Sequence, residues 1–170
     1  LCDRRQRQMC IRDSEEEGRA ELTPRDFGIL MHRVFENAAT TDEIYTAIEA
    51  MTQDGVLDEK EAPRLRELVE KALADPVTAE WFGGRWQVVR NENEIILPGS
   101  GTTRRPDRVM TDGERAVVVD YKFGDRETAR HRKQIREYLR LLRQMGYTRT
   151  EGYLWYVRLG RTERVEEKED

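Results

Sequence analysis

Cysteine is nearly absent from this chain: 170 residues hold two, Cys2 and Cys10, both near the start. Their spacing makes no Cys-x-x-Cys metal knuckle and indicates no disulfide framework. Histidine is equally scarce, limited to His32 and His131. No apolar run approaches the roughly 20 residues that a membrane span needs. Residues 1–14 contain no apolar core of a secretory signal. There is no internal repeat, and no Gly-x-x-x-x-Gly-Lys-Ser/Thr phosphate loop of the kind that holds a nucleoside triphosphate. Charge, by contrast, is plentiful. Charged residues make up 38% and mean hydropathy is −0.86, values that suit a highly solvated intracellular protein and leave no role for a membrane partner.

A chain of this length fits one domain with a modest core, with room for a helical appendage. The leader Met9-Cys10-Ile11-Arg12-Asp13-Ser14 resembles translated read-through of a sequencing adapter, so residues 1–21 are expected to be an artefact or a disordered terminus. Residues 22–84 read as a helical subregion, 85–166 as a core of sheet and long helix, and 167–170 as an acidic tail. The net charge of −4 conceals an uneven distribution. Between Lys122 and Arg149 nine basic residues stand against three acidic ones, whereas the acids gather at Glu15-Glu16-Glu17 and in the tail. A chain acidic outside and basic around one segment is compatible with a polyanionic partner.

Thr23-Pro24-Arg25-Asp26 carries the signals of a helix start: an N-cap, a proline at the first position and an acid closing a capping box. Phe27, Leu30, Met31, Val34 and Phe35 then form a stripe at helical spacing. Further helices are expected over Asp42 to Thr52 and Asp58 to Ala74, with a short one over Thr78 to Phe82. Strands are expected over Trp86 to Arg90 and Glu92 to Leu97, then over Asp107 to Thr111 and Arg115 to Tyr121. Pro98 to Gly101 reads as a turn, and Asp112-Gly113 as a hairpin turn. A long helix over Glu127 to Met145 and a strand over Gly152 to Leu159 follow, with Thr162 to Val165 extending the sheet. The pattern predicts an α/β fold with a mixed central sheet flanked by helices.

The most informative segment is Asp120-Tyr121-Lys122, at the end of the run Ala116-Val117-Val118-Val119. Alternation along a strand puts Asp120 and Lys122 on one face and Tyr121 on the other. A carboxylate and an ammonium side by side suit metal-dependent phosphodiester chemistry; they also suit a solvated ion pair. The hairpin should bring Asp107 to the same end of the sheet as Asp120, where two carboxylates could share a Mg²⁺ ion. Asp107 is equally a strand-start residue beside a proline. His32 lies on an apolar helix face one turn after Gly28, a position open both to a buried histidine and to a ligand. Gln134 falls inside the apolar arc of the long helix one turn before Tyr138, and needs a polar partner there or a place at the edge of the buried face. The opposite side carries Arg132, Lys133, Arg136, Arg140 and Arg143, a nucleic-acid surface or a solvated face.

Taken in order, Gly28-Ile29-Leu30-Met31-His32, Glu92, Pro106-Asp107-Arg108, Asp120-Tyr121-Lys122 and Gln134-Ile135-Arg136-Glu137-Tyr138 resemble the RecB-family branch of the PD-(D/E)XK nucleases. The stretches Val118 to Gly124 and Gly152 to Val157 are similar to the C-terminal nuclease domain of AddA-type, UvrD-like helicase–nucleases, in the style of Bacteroidetes sequences. The resemblance implies a restriction-endonuclease-like core and a bacterial, cytoplasmic enzyme that resects double-strand DNA ends for recombinational repair. It implies Mg²⁺, with Mn²⁺ as a substitute, bound by His32, Asp107, Asp120 and the Tyr121 carbonyl. Lys122 would be the catalytic lysine, and Glu92 the early acidic position, for which Glu94 competes. Gln134 and Tyr138 would contact DNA, with Arg108 and Arg130 as further candidate contacts. Hydrolysis would leave 5′-phosphate and 3′-hydroxyl ends. ATP would be used only by helicase motor domains elsewhere in the parent chain, and an AddB-like subunit is a candidate partner. The cysteine quartet of iron–sulphur relatives is missing, so no such cluster is expected. Two alternatives stand beside this reading: a non-catalytic DNA-binding or docking module of the same fold, and a stand-alone nuclease.

Overall fold

The computed structural model describes residues 23–96, 103–124 and 128–167. The expected leader, the turn at Pro98 to Gly101, the onset of the long helix at Glu127 and the last residues of the acidic tail lie outside them. Four helices come first: α1 (Pro24–Glu36), α2 (Thr41–Gln53), α3 (Ala62–Leu73) and α4 (Pro76–Trp81). The start of α1 follows the local chemistry closely. The Thr23 hydroxyl accepts from the Asp26 amide, and the Asp26 carboxylate accepts from the Thr23 amide. Helix α3 begins four residues later than its acidic prelude suggests. Asp58 instead closes a turn, accepting from the Lys60 amide through its side chain and from Glu61 and Ala62 through its carbonyl.

The sheet strands are β1 (Val88–Asn91), β4 (Arg108–Asp112), β5 (Arg115–Lys122), β6 (Arg149–Tyr156) and β7 (Arg161–Arg164), in spatial order β1-β4-β5-β6-β7. A separate two-stranded ribbon pairs β2 (Ile95–Ile96) with β3 (Thr103–Arg104). The described part of the expected strand Glu92 to Leu97 is therefore not continuous: Glu92 turns the chain with φ 53°, and among the described residues Ile95 and Ile96 are the ones that pair. Strands β4 and β5 form an antiparallel hairpin whose turn is Gly113-Glu114, with Gly113 at φ 56° where a side chain would be strained. Strands β5 and β6 are parallel, joined by the crossover helix α5 (Ala129–Gln144). Strand β6 begins at Arg149 and stops at Tyr156. The chain then leaves the ladder through a 3₁₀ turn, Val157–Leu159, and Gly160 at φ 56° returns it as β7.

The sheet is covered on both faces, and β5 feeds both cores. Val117, Val119 and Tyr121 pack with Met31, Val34 and Phe35 of α1, with α2 and α3, and with Trp81, Phe82 and Trp155. Ala116 and Val118 face the other way, against Ile135, Tyr138, Leu139 and Leu142 of α5. Gly152 on β6 lets α5 come this close, because a Cβ there would overlap Ile135 and crowd Leu139 at 3.2 Å. The result is a mixed α/β fold, a five-stranded sheet between a four-helix layer and a single long helix.

Candidate metal centre and active site

The site forms at the rim where β5 ends. Arg108 pairs with Val119, so the next residues outward, Asp107 and Asp120, stand across from each other. The backbone amide of Tyr121 donates to Asp107 Oδ2 at 2.5 Å. Asp120 is 2% exposed and its carboxylate lies against the Lys122 ammonium, on the same face of β5 as the alternation requires. Tyr121 points the other way, into the aromatic core beside Phe35 and Trp155.

His32 reaches the same rim from α1, and Glu92 from the left-handed bend after β1. His32, Glu92 and Asp107 each offer one ligand atom, and those atoms lie within 4.8 Å of one another. His32 Nδ1 is 3.8 Å from Glu92 Oε1. Phe123 packs edge-on against the imidazole and also against Gly28, where a Cβ would sit 3.2 Å from its own. The glycine one turn before His32 thus admits the residue that follows Lys122. Glu94 is exposed and stands outside the trio.

Electrostatics mark Asp107 as the strained member. Burial first, and then the Asp120 charge, push its carboxyl up to about 8, against the pull of the Tyr121 amide and Lys122. Burial also lowers the His32 pKa, although Glu92 and Asp120 oppose this, which favours the neutral imidazole that ligates metals. One imidazole and two carboxylates, with a third carboxylate adjacent, form a donor set suited to a divalent cation. A cation there also relieves the crowding of like charges. The trio differs from the expected set in one respect. Glu92 joins His32 and Asp107, whereas Asp120 stands beside them engaged with Lys122.

Helix α5 supplies the opposite wall. Gln134 Nε2 donates to the Tyr138 hydroxyl at 2.8 Å, which is the polar partner its place in the apolar arc required. Burial raises the Tyr138 phenol to about 12, so it stays neutral. Arg130 is exposed on the first turn of α5. Part of the basic stripe is internally matched: Arg132 pairs with Glu163, Arg143 with Glu167 at 2.8 Å, and Arg136 donates to the Glu166 carbonyl at 3.2 Å.

A match to the PD-(D/E)XK nuclease superfamily covers residues 4–170, nearly the whole chain. The chain belongs to the PD-(D/E)XK nuclease superfamily. Nucleases of this superfamily generally hydrolyse phosphodiesters with divalent metal ions, and the acidic rim just described is where such an ion would be held here. No curated protein matches the chain in sequence.

For a PD-(D/E)XK nuclease, one expected DNA contact is misplaced. Arg108 is 0% exposed and donates to the carbonyls of Ala38, Ala39 and Trp81, so it cannot reach a DNA strand. The basic residue next to a site carboxylate suggested a phosphate contact, but alternation along β4 turns it into the core. Two residues near the site were not anticipated. Arg105 forms an ion pair with Glu92. His131, on the first turn of α5, lies close enough to Lys122 and Asp120 for their charges to act on it. The only signal for His131 was its rarity, as one of two histidines.

Proposed function

We propose that this chain is the metal-dependent DNA nuclease domain of a RecB-family, AddA-type helicase–nuclease, acting in the bacterial cytoplasm on double-strand DNA ends during recombinational repair. The observation that carries the nuclease part is the convergence of His32, Glu92 and Asp107 within 4.8 Å, beside the Asp120–Lys122 pair. The helicase–nuclease part rests on the ordered motifs from Gly28 to Tyr138 and on the stretches around Asp120 and Gly152.

His32, Glu92 and Asp107 would hold Mg²⁺ or Mn²⁺, with Asp120 and the Tyr121 carbonyl as further ligands. The ion, when bound, lowers the pKa of water and neutralises charge building on the phosphate. Lys122, held against Asp120 on β5, supplies a fixed positive charge for a non-bridging phosphate oxygen or for orienting the attacking water. Water adds to phosphorus in line as the P–O3′ bond breaks, leaving a 5′-phosphate and a 3′-hydroxyl. Gln134 and Tyr138 wall the strand on the α5 side, and Arg130 contacts the backbone. Helicase motors of the parent chain deliver the strand, and an AddB-like subunit is the partner this architecture would take.

The test is cleavage of linear single- and double-stranded DNA with Mg²⁺, Mn²⁺ or EDTA. Asp107→Ala, Asp120→Ala and Lys122→Ala should each lower the rate by about 10²-fold or more, on the scale of lost transition-state stabilisation. Cleavage in EDTA, or wild-type rates in all three variants, would overturn the assignment. For the helicase part, the coding sequence upstream of Thr23 should contain a phosphate-loop motif. An in-frame stop immediately before it would favour a stand-alone nuclease.

A further inference from the structure

Arg108 is a fully buried guanidinium whose hydrogen bonds among the described residues go to neutral acceptors. Its Nη1 donates to the Ala38 carbonyl at 2.7 Å and to Asn91 Oδ1 at 3.2 Å. Its Nη2 donates to the carbonyls of Ala39 and Trp81, each at 2.7 Å. The guanidinium lies 4.0 Å from the Phe82 ring centroid. Asn91 reinforces the arrangement, its Nδ2 donating to the Ala38 carbonyl at 3.1 Å. Burying a cation among neutral acceptors is costly, and an apolar side chain of similar volume would fill the same space. A reason to keep it lies in what it joins.

Two of these contacts lead to the site, and the Trp81 carbonyl at the end of α4 does not. Arg108 itself follows Asp107, and Asn91 precedes Glu92. Ala38 and Ala39 form the exit of α1, the helix that carries His32. One planar fork therefore ties β4 beside Asp107 to the residue before Glu92 and to the exit of the helix that carries His32. We infer that Arg108 is a positioning residue for the metal centre, setting the mutual placement of His32, Glu92 and Asp107 without touching metal or DNA. The inference rests on the nuclease reading of that trio.

The test is Mn²⁺ binding to the whole 170-residue chain without DNA, by calorimetry at a temperature where circular dichroism shows every variant folded. Arg108→Met keeps the volume and removes the donors. It should weaken Mn²⁺ binding by about tenfold or more, the usual cost of losing a group that orients metal ligands. Arg108→Lys, which cannot span the same acceptors, should recover only part of that. Leu65→Ala, in the core of α3 and away from the rim, should lower thermal stability yet leave Mn²⁺ affinity within about twofold. If Arg108→Met binds Mn²⁺ as tightly as wild type, or loses no more than Leu65→Ala, the inference is wrong. Should Arg108→Met not fold, Asn91→Ala carries the test. About threefold weakening supports the inference, and wild-type affinity overturns it. Failure of wild type itself to bind Mn²⁺, or unchanged binding in Asp107→Ala, would instead remove the reading of the trio.

Discussion

The two faces of the sheet are held by different physics. Toward α1–α4 the contact is aromatic and dry, with Phe35, Phe82, Trp81, Tyr121 and Trp155 packed at tilted or edge-to-face angles. Among the described residues, the charge buried there is Arg108. Toward α5 the contact is aliphatic, and ion pairs to the last strand and its exit line its edge. The site draws on both: His32 comes from the dry layer, Gln134 and Tyr138 from the charged helix, and β5 between them carries Asp120 and Lys122. Proposed ligand geometry is thereby entrusted to the face least responsive to solvent, while the wall proposed for DNA belongs to the face most responsive to it.

Four measurements would break or sharpen this contrast. The largest effect should come from Trp155→Ala, which empties the centre of the aromatic layer; a loss of about 3–5 kcal/mol is expected in urea unfolding. A loss below about 1 kcal/mol would show that the layer is not a packed core. Gly152→Ala should cost about 1–3 kcal/mol by driving α5 off β6. Because α5 carries Tyr138, near-ultraviolet circular dichroism should change with it.

Asp107→Asn should stabilise the metal-free protein, and more so at high pH. The native carboxyl titrates near 8 and the unfolded one near 3.8, so its folded state binds the proton more tightly. That contribution is complete below the unfolded pKa and is lost as pH rises through the folded one. The advantage of the asparagine variant in EDTA should therefore be clearly larger at pH 8 than at pH 5. An advantage that shrinks with pH would contradict the burial of Asp107. The smallest effect belongs to Glu163→Gln, which loosens a partly exposed pair with Arg132. Under about 1 kcal/mol is expected, vanishing in high salt. A larger, salt-independent loss would mean that the α5 face is as dry as its counterpart.

Features readable in the sequence were those encoded by neighbours. The Thr23–Asp26 cap, the alternation of β5 and the apolar arc of α5 all depend on residues a few positions apart and formed as the spacing required, and the β4–β5 hairpin formed with its turn one residue later than expected, at Gly113-Glu114. What escaped depended on distant partners. Whether Arg108 faces solvent is decided by carbonyls at Ala38, Ala39 and Trp81, and no local pattern reports them. The bend at Glu92 is similar: a non-glycine residue at φ 53° has no propensity signal, yet it delivers the carboxylate to His32 and Asp107. Within the candidate site, the members were named from motif order, but their grouping was not. Glu92, expected as the early acidic position, groups with His32 and Asp107, and Asp120, expected among the ligands, stands beside them against Lys122.

Folding time divides the site in another way. A two-residue turn joins β4 to β5, so closing that hairpin is a microsecond event that loses little chain entropy. Asp107 and Asp120 are thus face to face early. Pairing β5 with β6 must wait for the α5 crossover, and His32 is brought in over a long stretch of chain, the slow kind of contact, whereas Glu92 follows a strand paired directly with β4. The chain therefore assembles its repelling carboxylates before the groups that orient them, and Mg²⁺ added during refolding should speed the later steps rather than the first.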